Sequence, residues 1–503
     1  MRVHTPVVTE VGAEPLTEAR KRLILAACIL GSTLVNVDAT VVNVALPSIR
    51  EDLGGGFAGQ QWTMNAYLVT LASLILVGGS VADMFGSRRI FSLGVALFGL
   101  TSALCAIAPT IETLVLARAL QGVSGALLTP AALAVIIMSF PENERGRAVG
   151  AWTAWGAIGF VLGPLVGGQL VDAGSWRWIF AINLPLTLVT LALVRNVVPL
   201  GGHAHGDGTR VDVVGCALCA IGLAVATFGL IRQPTAGFAD PTVIVPLAGG
   251  ILLLAVFLVY ESRISHPMLP LGLFRRHNFA VGNLETLSIY AGLSLVSFFL
   301  VLFLQQGAGF SATAAGTALV PVTAVLFLFS MRFGALADRY GPRFFMSGGP
   351  LVAAAGMALL ERLDSDVAYF TELLPPLLLY GLGLTLTVAP LTATVLSGAD
   401  EHNAGIASGV NNAIARLAGL LGIAVVGAVV AARYGNFADS SKGAFQLAMI
   451  ISAALVATGG LLGLLIRNPK RQVQARDCAG GQLTGVPQDA VDDPVPVARA
   501  AAS

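Results

Sequence analysis

Two charged residues lie inside long apolar stretches of this chain. Asp38 lies about fifteen residues into the apolar run 23–47, which is about 22 Å along a helix of standard rise. A carboxylate in the hydrocarbon core of a bilayer is costly, and a desolvated carboxylate can exchange a proton near physiological pH. We therefore expect Asp38 to carry protons or to contact a substrate. The alternative is a carboxylate that only ties helices together by hydrogen bonds.

Arg118 lies in a second apolar run, 112–139, and its guanidinium stays charged at any physiological pH. It therefore needs an acidic or carbonyl partner inside the bundle, and Asp38 is the natural candidate. Protonation of Asp38 would weaken such a pair and loss of the proton would restore it, so the pair would act as an electrostatic switch. The alternative is that Arg118 only braces the backbone of the first helix.

Further polar residues occur in other apolar runs. Glu285 lies near the start of the run 279–304, where it is either a second proton or cation site or part of the headgroup layer near Arg275 and Arg276. Arg416 needs a partner that the sequence does not identify. The amide side chains that we expect to line a substrate cavity are Asn36, Asn43, Gln121, Asn411 and Asn412.

About fourteen apolar runs position these residues, and most are near the length that crosses the hydrocarbon core of a bilayer. The runs are 23–47, 61–81, 90–109, 112–139, 148–171, 178–198, 211–231, 242–260, 279–304, 313–333, 344–361, 373–396, 405–432 and 444–466. The predicted fold is therefore an all-α membrane protein with about fourteen transmembrane helices.

A short polar loop occurs twice between such runs. Its residues are Gly79, Asp83, Gly86, Arg88 and Arg89 in the first copy, and Gly334, Asp338, Gly341 and Arg343 in the second. Matching residues are all separated by 255 positions, which indicates two related halves. We expect a cytoplasmic gate, in which an Asp at a helix end pairs with an Arg from a neighbouring helix. The alternative is a tight turn with positively charged anchors.

The predicted organisation has five segments. They are a cytoplasmic N-terminal segment 1–22, a six-helix half 23–198, a linker with two extra transmembrane helices 199–278, a second six-helix half 279–467 and a disordered cytoplasmic tail 468–503. Arg20, Lys21 and Arg22 abut the first span, and Lys and Arg are more frequent in the segments that this orientation places inside. The acidic loop 400–402 is the exception. We expect both termini in the cytoplasm and the chain in the cell membrane.

Composition excludes several classes of function. Hydrophobic residues make up 55% of the chain, charged residues 11%, and the net charge of +1 gives no reason to expect a nucleic-acid partner. Cys216 and Cys219 lie in an apolar run without a cluster of metal-ligand types, so we expect no metal. No P-loop or catalytic triad pattern is present, so we expect no nucleotide, no cofactor and no enzymatic activity. The expected partners are a small-molecule substrate, protons and lipid, with the protein as a monomer.

Several motifs resemble those of the major facilitator superfamily, and in particular its fourteen-helix drug:proton antiporters. The segment 36–47 resembles the family's first-helix motif and departs from it only in Val37, while 118–122 resembles its R-x-x-Q-G motif. The polar loop resembles the superfamily motif G-x-x-x-D-x-x-G-R-R. Its first copy departs by Ser87, and its second keeps only one Arg. The match to G-x-x-x-G-P-x-x-G-G is complete and comprises Gly159, Gly163, Pro164, Gly167 and Gly168.

In this superfamily the last motif marks antiporters rather than importers. The resemblance covers roughly residues 20 to 470, and it implies a proton-coupled antiporter that exports small hydrophobic or cationic compounds by alternating access. One alternative is a dedicated exporter of one metabolite or siderophore. Another is a membrane sensor or scaffold that does not transport, because a fold does not fix a function.

Overall fold

The computed structural model describes residues 17–198, 212–265, 267–397, 404–434 and 441–468. Within these ranges the chain is helical and contains no strand. The helices are α1 (Glu18–Leu53), α2 (Gly56–Phe85), α3 (Ser87–Ala106), α4 (Ile111–Ser139), α5 (Glu142–Asp172), α6 (Trp178–Ala181), α7 (Asn183–Val197), α8 (Val213–Ala236), α9 (Pro241–Glu261), α10 (His277–Gln306), α11 (Ala312–Ala318), α12 (Val320–Tyr340), α13 (Pro342–Leu360), α14 (Leu374–Ser397), α15 (Ala404–Tyr434) and α16 (Ser441–Gly463). The predicted polar linker and disordered tail fall mostly outside the described residues.

The prediction of an all-α membrane protein is confirmed. Among the described residues, 13 helical segments are long and apolar enough to cross a membrane. The remaining predicted span coincides with α5, which has 31 residues. Two predicted spans are each built from two helices, α6 with α7 and α11 with α12. The chain is thus a multi-pass membrane protein.

The two copies of the polar loop form equivalent tight turns. The first joins α2 to α3 through Gly86, and the second joins α12 to α13 through Gly341. Their φ values are 92° and 91°, a left-handed backbone conformation that is strained for a side chain with a Cβ atom. We call the end of the bundle that carries these two turns the motif end, and the opposite end the far end.

Each half is a bundle of six spans. In the first half, α1 packs against α4, α5 and α7, while α2 and α3 both pack against α4. In the second half, α10 packs against α15 and α16, while α13 packs against α14 and α16. The halves meet where α2 lies against α15, where α5 lies against α11 and where α1 lies against α10.

The two central helices, α8 and α9, lie between the two halves in the sequence and form an antiparallel hairpin. α8 packs against α2 of the first half and α15 of the second, whereas the main packing partner of α9 is α8. Only 17% of the most apolar part of α9 is buried, and its mean hydropathy of 2.7 is the highest among the 13 candidate spans. α9 therefore lies on the outside of the bundle, where it faces the bilayer.

Candidate functional site

Asp38 of α1 and Arg118 of α4 form an ion pair inside the first half, as their types and positions suggested. The guanidinium Nη1 donates a hydrogen bond to Asp38 Oδ2, and both side chains are 0% exposed. An unpaired buried charge would cost several kcal/mol, so each group makes burial of the other tolerable. The pair joins α1 and α4, the two helices whose charged residues led us to expect proton coupling.

Gln121 adds two hydrogen bonds to the ion pair. Its Nε2 lies 2.9 Å from Asp38 Oδ1, and its Oε1 accepts a hydrogen bond of 2.7 Å from Arg118 Nη1. The three side chains therefore form a closed ring of hydrogen bonds. Arg118 and Gln121 are one helical turn apart on α4, and this spacing places both on the face that meets Asp38.

A second layer of groups orients this ring. Ser102 Oγ lies 2.9 Å from Gln121 Nε2, and Asn183 donates a 3.2 Å hydrogen bond to the same hydroxyl. Arg118 Nε donates to the carbonyl of Thr63 at 3.1 Å, and the guanidinium carbon lies 4.3 Å from the centre of the Tyr67 ring. Five helices thus converge on one buried charge pair. Sequence reasoning missed these partners because they are ordinary polar residues without a distinctive spacing.

The glycine motif of α5 packs directly against the segment of α1 that contains Asp38. A Cβ atom at Gly159 would lie 3.1 Å from Asn36 Cβ, one at Gly163 would lie 2.1 Å from Thr40 Oγ1, and one at Gly167 would lie 2.3 Å from Val41 Cγ2. The absence of side chains allows this close approach of the two helices.

The same motif also contacts the second half. A Cβ atom at Gly168 would lie 2.5 Å from the carbonyl oxygen of Ala312, and one at Gly316 would lie 2.1 Å from that of Pro164. Glycines on both α5 and α11 therefore allow backbone-to-backbone contact between the halves. One helix face connects the surroundings of Asp38 with the interface between the two bundles.

Asp172, at the end of α5, binds the beginning of α11. Its two carboxylate oxygens accept hydrogen bonds of 3.0 Å from the Ala312 amide and 2.8 Å from the Thr313 amide. Ser311 Oγ accepts a hydrogen bond from the Ala314 amide, so the first turn of α11 is fully capped. A carboxylate at a helix N-terminus is also favoured by the helix dipole. No sequence signal marked Asp172, because its partners are backbone groups of the other half.

Two amide side chains add contacts between the halves at the far end. Gln61 of α2 donates to the carbonyl of Ile423 at 3.0 Å, and Gln305 of α10 donates to that of Val44 at 2.9 Å. Together with Asp172, they hold the ends of α1, α2 and α5 against the second half. The far end of the bundle is therefore closed in this structure.

Glu285 lies within the second half and is 0% exposed. Neither carboxylate oxygen has a hydrogen-bond partner, while Arg275 and Arg276 at the helix start are exposed. Glu285 is thus enclosed by the protein, unlike these two arginines. A buried carboxyl group without a partner is far cheaper in its protonated form.

The other polar candidates of the second half lie around α15. Asn411 donates hydrogen bonds to Asn283 Oδ1 at 3.1 Å and Thr286 Oγ1 at 2.8 Å, which ties α15 to α10. Asn412 is exposed, and its amide lies 3.3 Å from the carbonyl of Ser408. Arg416 is half-buried. The structure thus gives Asn411 a bracing position and leaves Asn412 accessible.

The remaining candidates lie in the first half. Asn36 is half-buried beside Gly159, and Asn43 is buried with no hydrogen-bond partner for its Oδ1. At the motif end, Arg88 donates a 2.7 Å hydrogen bond to the carbonyl of Arg195, at the end of α7, and Arg89 is exposed. The side chains of Asp83 and Asp338 lie outside the described part of the chain.

Two six-span bundles that close against each other at one end, with a charge pair buried in one of them, define a secondary transporter. The family model of the Major Facilitator Superfamily matches residues 28–423. The chain belongs to this superfamily.

Named relatives and solved structures agree with this assignment. The chain is 38% identical to the puromycin resistance protein pur8 of Streptomyces alboniger, over 80% of this chain and 81% of the relative. It is 35% identical to the cephamycin export protein CmcT of Amycolatopsis lactamdurans, over 83% of this chain and 86% of the relative. The crystal structure of the POT family transporter PepTSo superposes with a TM-score of 0.67 at 15% identity, covering 90% of this chain and 98% of that one. The last likeness concerns the fold alone.

The glycine contact between α5 and α11 yields a first prediction. In Gly168→Ala the new methyl group would meet backbone atoms of α11, which cannot rotate away. Overpacking costs about 1–3 kcal/mol, so the closed far end should become about fivefold less populated or more. The readout is the labelling rate of a single Cys at the buried position Ala315, in a background without other cysteines.

Gly150→Ala is the matched control, because a Cβ atom at this α5 position would meet nothing within 4 Å. Its labelling rate should equal that of the parent protein. Equal rates in Gly168→Ala and Gly150→Ala would contradict the role of this contact.

A second prediction concerns Asp172. The substitution Asp172→Ala removes two hydrogen bonds to a charged acceptor, each worth about 1.5–3 kcal/mol. We expect faster labelling at position 315, as for Gly168→Ala. Asp52→Ala is the control, since Asp52 also lies at the far end but pairs with Arg177 inside the first half. Labelling that rises equally in both variants would show a loss of general stability rather than of closure.

Proposed function

We propose that this protein is a proton-coupled antiporter that exports small hydrophobic or cationic compounds, antibiotics among them, across the cell membrane. The observation that carries the proposal is the buried ring of Asp38, Arg118 and Gln121, packed beside the glycine motif of α5. The named relatives support the export of antibiotics, because their names refer to puromycin resistance and cephamycin export.

The ring suggests how protons drive the cycle. A proton that enters on Asp38 removes the negative charge from the pair and leaves Arg118 to the Thr63 carbonyl and Gln121. The hold of α4 on α1 weakens, and α1 can shift against α5. Because α5 also caps α11 through Asp172, this shift reaches the closure between the halves.

Substrate and proton then alternate in this scheme. With the termini in the cytoplasm, the far end is the outer face, and closure at that end is what an inward-facing state of the cycle requires. Substrate enters between the halves, and the exposed Asn412 of α15 is a candidate contact. We assign a second proton to Glu285, because an enclosed carboxyl group without a partner favours the protonated form. The protein acts as a monomer.

A dedicated exporter of one metabolite or siderophore is the second candidate, and its geometry would be the same. A panel of transport substrates distinguishes the two. Export of several unrelated compounds supports the first, and export of one compound alone supports the second.

The main experiment is Asp38→Asn, which keeps the shape of the side chain and removes its titratable group. We expect normal insertion into the membrane and at least a tenfold loss of proton-driven accumulation of a lipophilic cationic dye in everted vesicles. In intact cells, the unmodified protein should lower dye accumulation until the proton gradient is collapsed.

Asp52→Asn is the matched control, since it neutralises an exposed carboxylate on the same helix. It should transport normally, and Asp38→Glu should retain part of the coupling. A full dye gradient in Asp38→Asn would exclude Asp38 as the main proton carrier. Dye uptake that increases with the protein would instead indicate import.

The two motif loops give a further prediction. The first copy carries Arg88 and Arg89, whereas the second carries only Arg343 after its glycine. We propose that the first loop makes more charge-assisted contacts across the cytoplasmic face in the outward-open state. Asp83→Asn should therefore slow turnover more than Asp338→Asn, with little change in substrate affinity. Equal defects, or a defect only in affinity, would exclude an asymmetric gate.

A further inference from the structure

A second pair of ionisable groups lies at the base of the central hairpin. Asp212 precedes the first residue of α8 and Glu261 is the last residue of α9, so both lie at the motif end. Their exposed fractions are only 7% and 2%. This pair belongs to neither six-span half, and the transport scheme based on Asp38 does not use it.

Backbone hydrogen bonds fix the orientation of both carboxyl groups. Asp212 Oδ1 accepts a 2.8 Å hydrogen bond from the Gly215 amide, and Glu261 Oε2 accepts one of 2.9 Å from the Leu269 amide. Each group therefore has one satisfied oxygen. The other oxygen of each, Asp212 Oδ2 and Glu261 Oε1, has no hydrogen-bond partner.

The two unsatisfied oxygens point toward the same space. A Cβ atom at Gly215 would lie 2.1 Å from Asp212 Oδ2 and 2.6 Å from Glu261 Oε1. Two carboxylates this close repel each other strongly, and burial increases the cost of charging both. The arrangement is therefore more favourable when a proton or another positive charge lies between these oxygens.

The surroundings do not supply a compensating cation among the described residues. The titratable groups that face the pair are Tyr260 from α9 and the thiols of Cys216 and Cys219 from α8. Arg263 is exposed beyond the end of α9. The titratable groups described on the neighbouring helices lie far from the motif end; these are Tyr67 of α2 and Arg416, Arg433 and Tyr434 of α15.

The number of free ligand atoms suits a proton better than a metal ion. Calcium takes six to eight oxygen ligands and magnesium takes six, whereas only two carboxylate oxygens are free here. Among the described residues, no group of three or more His, Cys, Asp or Glu side chains is arranged to hold a metal. One proton between two oxygens satisfies both at once.

We propose that Asp212 and Glu261 form a proton-binding site in which Asp212 Oδ2 and Glu261 Oε1 share one proton. The shared proton links the start of α8 to the end of α9 and, through Leu269, to the segment that leads into the second half. Because α8 packs against both halves, the site adjusts the rigidity of the hairpin to the pH at the motif end. The proposal does not depend on the transport direction or on the role of Asp38.

The test measures the thermal unfolding midpoint of the purified full-length protein in detergent from about pH 5 to about pH 9. The shared proton stabilises the fold at low pH, and this contribution is lost as the pH rises and the proton leaves. In Glu261→Gln the amide donates a permanent hydrogen bond to Asp212, and in Asp212→Asn the amide donates to Glu261. In both variants the difference between the unfolding midpoints at low and high pH should be smaller than in the parent protein by about 2 °C or more.

Asp240→Asn is the matched control, because Asp240 caps the other helix of the same hairpin and, among the described residues, its carboxylate binds Thr242. Hydrogen bonds from the side chain and backbone of Thr242 lower the pKa of Asp240, so it does not titrate in this range. This variant should keep the pH dependence of the parent protein.

Infrared difference spectra after a pH jump provide a second measurement. The parent protein should lose a carboxylic acid C=O band as the pH rises, and Glu261→Gln should lack this change. An unaltered pH dependence and an unaltered band in both pair variants would overturn the proposal. So would an unfolding midpoint at high pH that sodium or calcium ions restore in the parent protein but not in Glu261→Gln, because the ligand would then be a metal cation.

Discussion

The buried ion pair between Asp38 and Arg118 is the interaction on which the first half of the molecule depends. Neither charge is exposed, so neither helix can move far without the other unless the pair is neutralised. Gln121 and the Thr63 carbonyl reduce the cost of burial by satisfying further donors and acceptors. Protonation of Asp38 would therefore change the packing of whole helices. Protonation of a solvent-exposed pair would have little effect on helix packing, because water would screen the change in charge.

The glycine motif of α5 connects the surroundings of this pair with the second half of the molecule. On one side its glycines bring the backbone close to the segment 36–41 of α1, and on the other they bring it close to α11. Side chains between these helices would act as compliant spacers, whereas direct backbone contact transmits displacement. This arrangement explains why glycine and proline occur together in the motif: the glycines permit contact, and Pro164 frees a backbone position from the regular helical hydrogen bonds.

Much of the fold was predictable from the sequence because membrane helices and tight turns depend mainly on residues close together in the chain. Apolar runs of membrane length, the doubled loop and the turn glycines Gly86 and Gly341 correspond to helices and tight turns in the structure. The pairing of Asp38 with Arg118 was predictable because each is costly alone. Asp172, Ser102 and the pair of Asp212 with Glu261 were not, since their partners are backbone groups or distant side chains that leave no periodic pattern. The sequence alone also left the environment of Glu285 open between two alternatives.

The outermost helix, α9, has a different consequence for the molecule. Most of its surface contacts lipid rather than protein, and its 21 residues span about 31 Å, close to the hydrocarbon thickness of a bilayer. A thicker or thinner membrane would therefore act on α9 before it acts on the two halves, because a mismatch is relieved most cheaply by tilting the least supported helix. Through α8, such a tilt would reach both α2 and α15. Through the central hairpin, the lipid composition of the host membrane would thus affect how the two halves pack.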